Sequence, residues 1–112
     1  MKISILQTNA NRPLHVDFDK YTDGDSDFKR ELVVLMIDNI SELLQSAKSV
    51  ETDINQFLKV IHKIKPTIEM LEDPELNDTI TSIKSGNNKA ATGVLGKICA
   101  EIIESLEKAI SK

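Results

Sequence analysis

Phe57-Leu58-Lys59-Val60-Ile61-His62-Lys63-Ile64-Lys65-Pro66 lies inside the stretch from Asp53 to Leu71, and this stretch decides the fold. Apolar residues recur there at Ile54, Phe57, Ile61, Ile64, Ile68 and Leu71, with spacings of three and four. That period marks one buried face of a helix. Asp53 or Thr52 supplies an N-cap. Pro66 lacks the N–H that would bond the His62 carbonyl, so a kink or locally open turn is expected below His62. At about 100° per residue, His62 points roughly 120° from the centre of the apolar stripe. Lys65 falls one turn later on the same side. A solvent-facing imidazole beside a lysine on a rigid helix is a nucleophile placed to meet an anionic group.

Outward from this segment, the chain reads as further helices. Asp27 to Ser49 carries an apolar stripe of Phe28, Leu32, Leu35, Met36, Ile40, Leu43 and Ala47. Val33, Ile37 and Leu44 form a second strip beside it. The ordinary role of that strip is packing against another helix or the N-terminal arm. Its sharper role is a docking surface for a partner protein. Asp73-Pro74-Glu75 opens a short helix with a cap, a proline in the first turn and an acid near the positive end of the dipole. Leu76, Ile80 and Ile83 share its inner face, and Gly86 ends it in a left-handed conformation before the Asn87-Asn88 turn. A last helix runs from about Lys89 to Ser111, burying Ala91, Leu95, Ile98, Cys99, Ile102, Leu106, Ala109 and Ile110. Gly93 and Gly96 are expected to let a neighbouring helix approach closely. Short connections between long helices favour antiparallel neighbours, so the expected fold is an all-α, up-down four-helix bundle over residues 25–112. Residues 1–24 are expected to be a poorly defined N-terminal arm, extended or in short strand pieces, in which Ile3, Ile5, Val16 and Phe18 hint at alternation. The polar turn from Tyr21 to Ser26 caps the next element.

Composition narrows the function. The 112 residues suffice for one domain, and 40% are hydrophobic. Three Phe, one Tyr and no Trp suit a helical bundle better than a sandwich or barrel. A formal charge of −4 argues against nucleic-acid binding, which needs a basic stripe. With no run of about eighteen apolar residues, no membrane span is expected. The first residues lack the apolar length of a signal peptide. The single Cys99 forms no internal disulfide, so a cytoplasmic, reducing location is expected.

Most familiar chemistries are missing. Gly93-Val94-Leu95-Gly96-Lys97 lacks the first glycine of a P-loop, where Ala91 stands, and has Ile98 where Ser or Thr is needed. His15, His62 and Cys99 give no zinc spacing, so no metal or cofactor of the chain's own is expected. His15 reads as a loop residue. Glu69, Glu72, Asp73 and Glu75 read as caps and solvated charge. Nothing announces a Ser-His-Asp constellation. A hydrolytic or metal enzyme has little support for want of ligands and activated nucleophiles.

The pattern around His62 resembles the histidine-containing phosphotransfer (HPt) family of multistep phosphorelays. Its motif is a histidine, two residues, then lysine, on the second helix of a four-helix bundle. Asp53, Phe57, Leu58 and Ile61 occupy the places of the acid and aliphatics upstream, and His62, Ile64 and Lys65 follow. The resemblance covers about Asp25 to Lys112. It implies that His62 is the phosphoacceptor and that Lys65 stabilises the phosphoryl group. It implies a carrier without ATP-dependent kinase activity, serving response-regulator receiver domains and a hybrid histidine kinase. Mg²⁺ is expected on the receiver, and a monomer is the simplest state. Val33, Ile37 and Leu44 would then be candidates for receiver docking. The chain departs from the pattern at three places. Pro66 follows the lysine where a small residue is usual. Glu69 stands seven after the histidine, also usually small. Glu72 replaces a customary glycine. The competing expectation is a helical adaptor that docks signalling partners without being phosphorylated.

Overall fold

The computed structural model describes residues 12–50, 52–86 and 88–110. Among the described residues six helices follow one another: α1 (Phe18–Thr22), α2 (Ser26–Ala47), α3 (Ile54–Lys63), α4 (Lys65–Leu71), α5 (Pro74–Lys84) and α6 (Asn88–Ile110). The described residues contain no strand, so the fold is all-helical. The alternation expected at Ile3 and Ile5 and the turn at Asn87 lie outside the described residues.

Four aspartates start four of the helices. The carboxylates of Asp17, Asp25, Asp53 and Asp73 accept from the amides of Lys20, Phe28, Gln56 and Leu76, each three residues on. Each satisfies an otherwise orphaned N–H and places negative charge at the positive end of the helix dipole. Asp23 and Gly24, at φ +55° and +76°, turn the chain between α1 and α2. At the end of α5, Gly86 has φ +101°, a conformation open to glycine at little cost. Phe18–Thr22 is thus helical rather than extended, because the Asp17 cap nucleates one short turn that packs on α2.

The core is continuous. Val33, Met36, Ile40 and Leu43 of α2 meet Phe57 and Val60 of α3, Ile68 and Leu71 of α4, Leu76 and Ile83 of α5, and Leu95, Ile98 and Ile102 of α6. Helix α6 packs on both α2 and α5, and α2 also packs on α3. The face that α2 buries differs from the expected one. Val33 is fully enclosed, while Phe28 and Leu35 are 48% and 54% exposed. Helix α2 is apolar over much of its girth, so its period alone fits more than one rotation. The helices around it select Val33, Met36, Ile40, Leu43 and Ala47, spaced three and four apart. Of the residues expected to offer a docking strip, Val33 is core rather than surface. Ile37 and Leu44 are half-buried against the same core.

The two glycines of α6 do not set its approach to a neighbour. A Cβ on Gly93 would meet nothing within 4 Å, and one on Gly96 would stand 3.7 Å from Leu44 Cδ1, an ordinary contact.

The expected kink below His62 is a full interruption. Helix α3 stops at Lys63, and Ile64 leaves helical geometry at φ −99°, ψ 14° with its side chain buried. The amides of Thr67 and Ile68 both reach the Ile64 carbonyl. Pro66 then sits in the first turn of α4, where its missing N–H costs nothing. Helix α4 ends at Glu72, whose φ of +46° is left-handed.

Candidate functional site

His62 is exposed on the last turn of α3, and Lys65 is the first residue of α4. They stand on either side of the interruption rather than along one continuous helix. Both nevertheless line one open groove of about 510 Å³ between α3, α4 and α5. Its apolar lining is Leu58, Ile61, Ile68 and Ile80, and Lys84 enters from α5. His62 also borders a neighbouring hollow lined by Asn55, Leu58 and Lys59. Three lysines from three helices thus line the two depressions that His62 borders, in a chain of net charge −4.

The carboxylate of Glu69 shares the groove. It lies 3.9 Å from Lys65 Nζ, one turn along α4, with both side chains well exposed. Such a pair is worth about 0–1 kcal/mol, so it holds the Lys65 ammonium only weakly. Lys63 is engaged elsewhere: its ammonium donates to both carboxylate oxygens of Glu42 on α2, each at 3.1 Å. Val33, Ile37 and Leu44 do not line the groove.

Lys84 escaped the sequence reading because it lies 22 positions beyond His62 on another helix. Its signal was the polar strip Asn77, Thr81 and Lys84 beside Ile80, at helical spacing.

Arg12, by contrast, had no signal in the sequence. Its Nε and Nη2 donate to the two carboxylate oxygens of Asp73 at 2.9 Å each. Nη1 donates to Glu101 at 2.8 Å, and Nη2 also reaches Glu75 at 2.9 Å. Ser105 Oγ donates to the Arg12 carbonyl at 2.8 Å. Asp73 thus caps α5 and anchors the N-terminal segment at once. Burial pushes its carboxyl up, but the hydrogen bonds and charge of Arg12 and the Leu76 amide outweigh burial and hold it below the ordinary value. The same partners raise Arg12, so it stays charged. His15 is exposed in a hollow that Arg12, Asp73 and Glu75 also line.

Cys99 is enclosed, and burial pushes its thiol up to about 12, with a small opposing effect of Arg12. It is no nucleophile near neutral pH. Among the described residues no group of three or more His, Cys, Asp and Glu could hold a metal ion. No described helix is long and apolar enough to cross a membrane. Comparison with protein-family models, curated proteins and solved structures gives no match.

Proposed function

We propose that the chain is a phosphorelay carrier in which His62 accepts a phosphoryl group from a receiver-domain aspartate and passes it to another receiver. The observation that carries this reading is the exposed imidazole of His62, bordering two depressions lined by Lys59, Lys65 and Lys84. An unprotonated ring nitrogen attacks phosphorus, the bond from phosphorus to the aspartyl oxygen breaks, and the aspartate leaves as carboxylate. The ring proton on the phosphorylated imidazole passes to water. The transition state is loose, so the chain contributes position and positive charge rather than covalent chemistry. Mg²⁺ belongs to the receiver, and the chain needs no ATP site of its own. In this proposal α2, the α3–α4 pair, α5 and α6 are the four arms of an antiparallel bundle.

The test mixes the protein with a phosphorylated receiver domain and follows base-stable, acid-labile label. Label on the wild type and none on His62→Gln is the expected result. No transfer from any receiver, or equal labelling of His62→Gln, refutes it. The exposed Leu58 on the groove rim favours a second reading, a helical adaptor that binds through this surface unmodified. Under that reading Leu58→Asp abolishes partner binding, while His62→Gln leaves both binding and signalling output intact.

A further inference from the structure

His62 and Lys65 stand on opposite sides of a helix interruption, so their relation depends on what holds α4 against α3. Helix α2 grips both sides. Before the break, Glu42 binds Lys63; after it, Asn39 Nδ2 donates to Thr67 Oγ1 at 2.7 Å. Asn39 and Glu42 are three residues apart and share one face of α2. The two grips are unequal. Lys63 is 65% exposed, so water and salt weaken its pair with Glu42. Thr67 is only 2% exposed, and its hydrogen bond with Asn39 is short and shielded. The start of α4 also has no side-chain cap, whereas α1, α2, α3 and α5 each have an aspartate. The first turn of α4 is tied to α2 by this bond at Thr67, two residues beyond Lys65, beside the buried Ile64 and Ile68.

We propose that Asn39, acting through Thr67, is a positioning residue that holds Lys65 toward the phosphoryl group on His62, an inference that rests on the phosphoacceptor reading above. Neither Asn39 nor Thr67 lines the groove, so neither touches the transferred group. A misplacement of about 1 Å at a reacting centre lowers rates by up to about a hundredfold. The orienting bond is one link removed from that centre, so about a tenfold loss is expected.

The experiment measures the rate of His62 labelling by a phosphorylated receiver and by phosphoramidate, a small donor that makes no protein contacts. Wild type, Asn39→Leu, Thr67→Val, Thr67→Ser, Lys65→Ala and the double variant Asn39→Leu/Lys65→Ala are compared well below their melting temperatures. Expected is a loss of about tenfold for Asn39→Leu and Thr67→Val with both donors, and a near wild-type rate for Thr67→Ser, which keeps the hydroxyl. In the double variant the loss should be no greater than for Lys65→Ala alone, because residues acting as one unit do not add. Losses that multiply in the double variant, or wild-type rates in folded Asn39→Leu, overturn the positioning role. No label on the wild type from either donor overturns the phosphoacceptor reading instead, and this inference with it.

Discussion

Replacing Arg12 with alanine should destabilise the protein by about 3 kcal/mol at neutral pH. The guanidinium is 9% exposed and meets carboxylates on Asp73 and Glu101 that are 9% and 5% exposed. Removing one partner of a buried ion pair typically costs about 3–5 kcal/mol, because the remaining charge stays out of water. The cluster lies at the molecular surface, with Glu75 largely solvated, and the Leu76 amide still serves Asp73. The lower end of that range applies. Urea unfolding at pH 7 measures it: with a slope of about 1–3 kcal/mol per molar, the midpoint falls by about 1–3 M. The loss should also depend on pH with a definite sign. In the wild type, Asp73 titrates below its ordinary 3.8. Its contribution is complete above the unfolded value and disappears as pH falls through the lower folded one. In the variant the guanidinium's share of that lowering is gone, so acid takes less stability from the variant than from the wild type. The stability gap must therefore narrow as pH drops from 5 to below 3.8. A gap under about 1 kcal/mol at pH 7, or one unchanged at pH 3, would refute the reasoning.

Two backbone substitutions should stabilise the fold. Gly93→Ala meets no neighbour and removes a helix-interior glycine, a gain of up to about 1 kcal/mol. Glu72→Gly relieves a left-handed non-glycine residue, worth up to about 1 kcal/mol against the added chain entropy. Melting temperatures that fall in either variant contradict the assigned conformations. Native protein at pH 8 should resist thiol-reactive dyes at Cys99, with labelling only as fast as unfolding exposes it; rapid stoichiometric labelling would show that the thiol is accessible.

Helix starts were the most legible part of the sequence. A cap is a local signal: Asp53 and Asp73 each bond an amide three residues on, and each was recognisable without knowing the fold. The interruption at Ile64 was foreshadowed by Pro66 for the same reason. The rotation of α2 was not legible, because Phe28, Leu32 and Leu35 are as apolar as the residues it buries. Only the positions of α3 and α6 decide between them. Helix α1, at five residues, is too short to show a period. Arg12 was invisible because its partners lie 61, 63 and 89 residues away. At the candidate site, exposure of His62 followed from one helix alone. Lys84 reaches that groove, and Asn39 reaches Thr67 behind it, from helices whose placement no periodicity specifies.

The bonds of Arg12 have a consequence for the order of folding. Helices with aspartate caps form from nearby residues, on sub-microsecond to microsecond timescales. The Arg12 contacts close chain loops of 61 to 89 residues, and the entropy of such closure must be met before the contacts return anything. The latch should therefore shut after the rate-limiting step. Its loss would leave the folding rate nearly unchanged and appear almost wholly as faster unfolding. Arg12 would then govern how long the native state lasts rather than how quickly it is reached.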